Sequence, residues 1–488
     1  MNSIFSTKTT WRVHEAAKSG VLIDARDYYR AFYEAALGAT RSILLLGWQF
    51  DSDVELVRGS DRKAGASEVE LMPFLDELCR TRGIDVRILA WDHSVFFALE
   101  RELLQGVVFE MGTCDKVQFR HDASVPPGGS HHQKVAVIDG RIAFLGSADI
   151  CQSRWDTSAH RPDDTLRLAR GERYKPYHEV QAVVTGAPAR SLVDVFVNRW
   201  QRATGEALDP LSLCALESSD DLDVPVTLPL PRAPIAFSRT IPDVGSASTT
   251  QEVKELFVSA IRNAERLIYC EMQYFTSLAV RDALFERMND SSRPKLEIVF
   301  VVPEKPEKFK EELTVGPPQS ELFALLAETA KRTGHALGIY DVATRGNEGE
   351  DVFVYIHSKL MVVDDVFLTI GSSNLTNRSM SLDSEINASW FAEPGDGALA
   401  HAIRRLRVRL MLEHIGPRAN VRSVLRRKSL VAELDAIAES GTTRLRRHDL
   451  SPVPAGVLAW AVHELASEYV DPTEEEAMAS KLAQRDWL

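Results

Sequence analysis

Several features that would place this chain quickly are missing. No apolar run is long enough to span a bilayer; the greasiest stretch, Ile43 to Phe50, has the length of a buried strand. Met1 to Val13 holds no apolar core of the kind a secretory signal peptide needs. A cytoplasmic protein is therefore expected, peripheral at a membrane at most, with export by another route left open. The five cysteines (Cys79, Cys114, Cys151, Cys214 and Cys270) form no Cys-x-x-Cys pair and are odd in number, so free thiols in a reducing compartment are expected. Positive charge is also short. With 57 Lys and Arg against 70 Asp and Glu, the net charge of −13 disfavours nucleic acid as a partner, because such affinity rests on lysine and arginine neutralising phosphates.

What is present has the grammar of an α/β protein. Ser42 to Phe50 reads as a strand, Val69 to Arg82 as an amphipathic helix, and Asp85 to Trp91 as the next strand. Strands follow in Lys134 to Leu145 and Glu179 to Thr185, then a closing helix from Val193 to Arg202. Between 206 and 239 the composition shifts. Asp220, Asp221 and Asp223 cluster, and Pro225, Pro229, Pro231 and Pro234 break regular structure, so a linker is expected. The alternation then restarts. The division expected is a first lobe over 1–205, the linker over 206–239, a second lobe over 240–416, and a charged helical tail over 417–488 that serves as a solvated cover.

One segment occurs twice. His131-His132-Gln133-Lys134 runs through Asp139-Gly140 to Gly146-Ser147-Ala148-Asp149, and His357-Ser358-Lys359 runs through Asp364-Asp365 to Gly371-Ser372-Ser373-Asn374. His, Lys, Asp, Gly and Ser hold the same relative places in both. A lone His-x-Lys in a strand is ordinarily a core or surface detail; the duplicate is not plausibly accidental. Asp139-Gly140 signals a two-residue hairpin turn, which sets His132 opposite Ser147 and His357 opposite Ser372. Alternation along a strand projects His132 with Lys134, and His357 with Lys359, to one side. Ser147 and Ser372, with Asp149 and Asn374 beside them, are expected as substrate ligands. Asp139 and Asp364, at the turns, are expected to be structural.

A phosphodiester transition state needs a nucleophile, an acid for the leaving oxygen, and positive charge around the phosphoryl oxygens. Two facing hairpins supply all three from His132, His357, Lys134 and Lys359. The histidines are not spaced as zinc ligands and lysines repel a cation, so neither a metal nor another cofactor is expected.

These residues resemble the duplicated HKD motif of the phospholipase D superfamily. The likeness extends over Arg154-Trp155-Asp156-Thr157, Pro176-Tyr177-His178-Glu179-Val180, Phe196 to Trp200, Tyr269-Cys270-Glu271-Met272-Gln273-Tyr274-Phe275, Asn377-Arg378-Ser379-Met380, Ser384-Glu385-Ile386-Asn387 and Glu413-His414-Ile415-Gly416. It implies two similar α-β-α lobes, each a mixed sheet flanked by helices, about a pseudo-twofold axis with the active site between them. It also implies that Glu179 and Glu385 each orient a catalytic histidine, with His132 as nucleophile and His357 as general acid, then base. The activity implied is hydrolysis of a glycerophospholipid such as phosphatidylcholine at a membrane surface, through a phosphohistidine, with exchange of the headgroup alcohol. A monomer is expected. Alternatives are a phosphatidyltransferase of the cardiolipin synthase kind, a nuclease or other non-lipid phosphodiesterase, and an inactive scaffold, which intact His and Lys in both copies oppose. Trp155 has two readings: an aromatic wall for a choline-type headgroup, or packing. Tyr274 and Phe275 likewise either wall the cleft or fill the core. The run from Arg404 to Arg409 reads as a solvated helix face.

Overall fold

In the computed structural model, residues 4–63, 68–92, 105–215, 224–244, 249–307, 315–425, 429–451 and 471–473 are described. The acidic cluster Asp220, Asp221 and Asp223 and most of the tail lie outside them. Fourteen strands form the central parts of the two sheets that matter here. In the first lobe they are β1 (Ser19–Ile23), β2 (Ser42–Gly47), β3 (Asp85–Trp91), β4 (Val117–Asp122), β5 (Val135–Ile138), β6 (Ile142–Gly146) and β7 (Val180–Thr185). In the second they are β8 (Pro234–Ile241), β9 (Leu267–Met272), β10 (Glu297–Val301), β11 (Ala336–Arg345), β12 (Lys359–Val363), β13 (Phe367–Gly371) and β14 (Glu385–Phe391).

The first sheet runs β1-β7-β6-β5-β2-β3-β4 and the second runs β8-β14-β13-β12-β9-β10-β11. In both, neighbours pair antiparallel up to β2 and β9 and parallel from there to β4 and β11; beyond β11 the second sheet adds antiparallel partners. The chain is thus one mixed sheet written twice. Strands β2 and β9 are buried along their whole length because helices cover both faces, which is why they read as unbroken apolar runs rather than alternating ones.

Each central hairpin turns through two residues of positive φ: Asp139 and Gly140 at 56° and 62°, Asp364 and Asp365 at 55° and 59°. A third loop residue follows, so Ile138 pairs Ile142 and Val363 pairs Phe367. That extra residue corrects the register expected from a bare two-residue turn. Carried toward the open end, the ladder sets Gln133 and Ser358, not His132 and His357, opposite Ser147 and Ser372. The motif aspartates hold the turns to the neighbouring strand. Asp139 accepts from the amides of Thr40, Arg41 and Ser42 and from the Thr40 hydroxyl at 2.8–2.9 Å; Asp364 accepts from the amides of Glu265, Arg266 and Leu267 at 2.7–2.8 Å.

The lobes exchange strands across the expected boundaries. Arg12–Glu15, at the start of the first lobe, pairs antiparallel with β8 in the second sheet. Leu228–Leu230, inside the expected linker, pairs with β1 as the edge of the first sheet, and β8 itself begins within that linker at Pro234. The tail is no mere cover either. Leu445–Arg447 pairs with β11, and Val424, Leu430, Val431 and Leu434 are buried in the core shared by the facing sides of both sheets. Arg407 corrects the reading of its helix as a solvated face: fully buried, it grips Asp365 at the second hairpin turn, at 2.6 and 3.1 Å.

Candidate active site

The hairpin ends meet where the lobes touch, through two matching backbone contacts. The amide of His132 donates to the carbonyl of Ser384 at 3.0 Å, and the amide of His357 donates to the carbonyl of His178 at 2.9 Å. Ser384 and His178 immediately precede Glu385 and Glu179. Each histidine is therefore delivered to the glutamate of the opposite lobe. Nδ1 of His132 lies 3.0 and 3.1 Å from the two carboxylate oxygens of Glu385, and Nδ1 of His357 lies 2.9 Å from Oε1 of Glu179.

Around this shared centre the two halves are furnished differently. Glu385 is itself held by the hydroxyls of Ser372 and Ser379. Glu179 sits beside Ser147, but neither of its oxygens has a well-aligned hydrogen bond among the described residues. Burial pushes its carboxyl up, against the pull of Lys359 and Arg154. Lys134 pairs with Asp149 at 3.1 Å. Among the described residues, Lys359 hydrogen-bonds only neutral oxygens, Oε1 of Gln273 and the carbonyl of His357, each at 2.8 Å. Burial lowers the Lys359 ammonium to about 7, with Lys134 pushing the same way and Glu179 opposing. Burial, reinforced by Lys359, Arg154, Lys134 and His132, also holds His357 well below the usual imidazole value.

The other expected residues are placed plainly. Ser147 and Ser372 are fully buried and bond the backbone of Val180 and Ile386, so their hydroxyls support β7 and β14 instead of facing a substrate. Asn374 points its amide toward Gln273 at 3.5 Å. Trp155 corrects the headgroup reading: it is 2% exposed, packed in the first-lobe core under the Arg58 guanidinium at 5.2 Å. Phe275 fills the core against Phe300 and Phe323, while the hydroxyl of Tyr274 reaches that of Tyr355 at 3.2 Å.

Residues given no role from sequence complete the wall around His357. The Tyr177 and Tyr355 rings lie 5.6 and 6.3 Å from its imidazole, and Arg154 stacks on Tyr177 at 4.5 Å while reaching its hydroxyl. A small cleft opens on the other side of the first hairpin, among Trp11, His131, Gln133, Arg199, Arg202 and Arg239; neither His132 nor His357 lines it.

Known proteins resemble this chain in sequence and in fold. The family described as "Phospholipase D" matches residues 35–283, and "Cardiolipin synthase, PLD-like domain" matches 257–405. Phospholipase D alpha 4 of Arabidopsis thaliana is 23% identical over 81% of this chain and 64% of its own length. Phospholipase D A of Dictyostelium discoideum is 24% identical over 81% of this chain and 35% of its own. The chain thus spans under two thirds of these relatives. In fold it is similar to phosphatidylserine synthase of Haemophilus influenzae Rd KW20, with a TM-score of 0.51 at 13% identity over 97% of this chain and 96% of that one.

Proposed function

The chain belongs to the phospholipase D superfamily, and from that premise we propose that it hydrolyses glycerophospholipids such as phosphatidylcholine to phosphatidic acid and the free headgroup alcohol. The carrying observation is the crossed pairing: His132 on Glu385 and His357 on Glu179, with two lysines alongside. A carboxylate on Nδ1 fixes the ring tautomer and stabilises the imidazolium, leaving Nε2 for the reaction.

His132 attacks phosphorus through Nε2, breaking the bond to the headgroup oxygen and forming a phosphohistidine. It is the more exposed ring, at 17% against 8% for His357. His357, held neutral among cations in the free site, takes up a proton as the phosphodiester anion enters beside it and passes that proton to the leaving alcohol. It then withdraws a proton from the incoming water, which attacks phosphorus and releases His132. Lys134 and Lys359 balance the charge on the phosphoryl oxygens. A primary alcohol in place of water gives headgroup exchange by the same step. No helix among the described residues is long and apolar enough to cross a membrane, so the substrate is met at the surface of its bilayer.

Phosphatidylcholine vesicles with a primary alcohol, and plasmid DNA in parallel, test this reading. Phosphatidylalcohol is expected from the wild type and is lost in His132→Ala and His357→Ala. Labelled phosphate is expected on His132. DNA cleaved with lipid untouched would overturn the substrate, and label on His357 would reverse the roles.

A further inference from the structure

His131 and Ser384 each stand one residue before a member of the first crossed pair, His132 and Glu385, and the phosphoryl chemistry uses neither. Both are buried, and both line the small cleft that neither His132 nor His357 reaches.

A chain of side-chain contacts runs through them from one lobe to the other. Nε2 of His131 lies 2.9 Å from Oδ2 of Asp122, the last residue of β4, and its Nδ1 lies 2.9 Å from the hydroxyl of Ser384, just before β14. Asp122 is gripped in turn by Arg199, from the helix Ala187–Thr204, at 2.9 and 3.0 Å, and accepts from the amide of Ser124 at 3.0 Å. Burial alone would push the Asp122 carboxyl up, but His131, Arg199 and Ser124 hold it well below the ordinary carboxylate value. Burial lowers His131 to about 4, with Arg199 pushing the same way and Asp122 opposing. A neutral imidazole carries one hydrogen, and an ionised carboxylate can only accept. Nε2 therefore donates to Asp122, which leaves Nδ1 bare to accept from the Ser384 hydroxyl.

The backbone is stitched at the same place. The amide of Ser384 donates to the carbonyl of Ser130 at 2.9 Å, and the amide of His132 donates to the carbonyl of Ser384 at 3.0 Å. Asp383 accepts from the amide and the hydroxyl of Ser130 at 2.7 and 2.9 Å. The second half is built otherwise. Ile356 and His178 stand where His131 and Ser384 stand, and isoleucine offers its partner no polar atom. Ser372 and Ser379 already hold the Glu385 carboxylate; what the His131 contact adds is the placement of the backbone from which Glu385 and His132 project. A misplacement of about 1 Å at such a pair can cost about 10²-fold in rate.

We propose that Asp122, His131 and Ser384 are positioning residues, a buried relay that locks the segments carrying His132 and Glu385 in register. The relay bears on the reaction only through the proposed role of His132 as nucleophile; it bears on the geometry of the pair regardless.

That geometry can be read without substrate. In protein carrying isotope-labelled histidine, the Nδ1–H of His132 bound to Glu385 should give a downfield proton signal, identified by its loss in His132→Ala. Ser384→Ala, which removes the donor to His131, should shift or broaden that signal, and Ser384→Thr, which keeps the hydroxyl, should restore it. His131→Gln can meet Asp122 with its amide but has no acceptor at the Nδ1 position, so it should behave as Ser384→Ala does. In single turnovers at saturating lipid, formation of the phosphohistidine should slow by about 10–100-fold in Ser384→Ala and in His131→Gln, with the half-saturating lipid concentration within about twofold of wild type. The double variant should be no slower than the worse single one, as members of one relay require. A His132 signal left unchanged in folded Ser384→Ala overturns the proposal, as does Ser384→Thr no better than Ser384→Ala. A displaced signal in Ser384→Ala, with label trapped on His357 in the wild type, would uphold the relay and refute the nucleophile.

Discussion

The two hairpins share a fold and a motif but not an environment. The first half is charge-balanced: Lys134 has Asp149, and His132 faces a carboxylate buttressed by two serine hydroxyls. The second half is drier and cationic. Lys359 bonds amide and carbonyl oxygens, His357 is walled by Tyr177 and Tyr355, and Arg154 adds a further positive charge. A duplicated scaffold thus carries two unlike imidazoles, and environments that push like groups apart are how one site hosts distinct acid and base roles. On the proposed mechanism, Lys359 and His357 in the free site await an anion.

The sharpest way to break this comparison is to remove the unbalanced charge. Lys359→Met should lower kcat/KM by about 10³-fold, and Lys134→Met less, since Asp149 already offsets that ammonium. Stability should respond in the opposite sense. Met at 359 forfeits two hydrogen bonds of about 1 kcal/mol each but removes a buried, unpaired charge, so Tm should hold or rise. The folded value of about 7 lies below the ordinary 10.5, so the folded state binds fewer protons between them. The cost of this lysine is therefore full below pH 7 and is relieved as pH rises toward 10.5. Activity should show the complement, with kcat/KM falling as pH rises through about 7 when Lys359 loses its charge. Lys359→Arg, which cannot lose it, should flatten that limb. A limb unchanged in Lys359→Arg would reject the assignment.

The crossing itself can be broken next. Glu385→Gln places an amide where two hydroxyls and an imidazole N–H all donate, whereas Glu179→Gln disturbs one contact. Both should cost about 10²-fold or more, Glu385→Gln the larger. If each glutamate serves the opposite histidine, Glu385→Gln weakens the nucleophile and slows formation of the phosphohistidine, whereas Glu179→Gln also weakens the base that activates water, so the phosphohistidine decays more slowly once formed. Rapid-quench measurement of the phosphohistidine separates these, and identical traces would remove the distinction between the halves.

Much of this was legible in the sequence because it is local and repeated. His-x-Lys, the turn aspartate and the Gly-Ser recur at fixed spacing, so the hairpins and the two-lobed fold could be read before any coordinates. What was not legible depends on contacts distant in sequence. Nothing in the wording around Glu179 or Glu385 says which histidine each will meet; that is set by two amides crossing between lobes. Leu228-Pro229-Leu230 resembled a linker because proline forbids a central strand, yet it is an edge strand, where a missing amide costs little. Arg12–Glu15 is too short to announce its sheet. Arg407 looked solvated in its arginine-rich run until Asp365, across the lobe, claimed it.

Stability can be separated from chemistry at the turns. Asp139 accepts three amides and a hydroxyl, Asp364 three amides, and neither lies among the side chains placed around the histidines. Truncation strands buried donors at about 1–3 kcal/mol each, partly recovered by relaxation. Asp139→Ala should therefore lose about 3 kcal/mol in urea denaturation, Asp364→Ala somewhat less, with activity per folded molecule nearly unchanged. A catalytic loss in Asp364→Ala without a stability loss would reassign that aspartate.

The smallest effect on chemistry is expected at Trp155, which also tests how the two halves divide the substrate. A cation–π contact with a choline headgroup is worth about 0.5–2 kcal/mol, so losing one would shift the ratio of choline to ethanolamine release by about 2- to 30-fold. Trp155 has Arg58 over its ring and 2% of its surface exposed, which leaves no face for a headgroup. Trp155→Leu should therefore leave that ratio within about twofold while costing about 2–4 kcal/mol of stability through the cavity it opens. Headgroup contact would then fall to the aromatic wall about His357, and Tyr355→Leu, not Trp155→Leu, should be the substitution that moves the ratio.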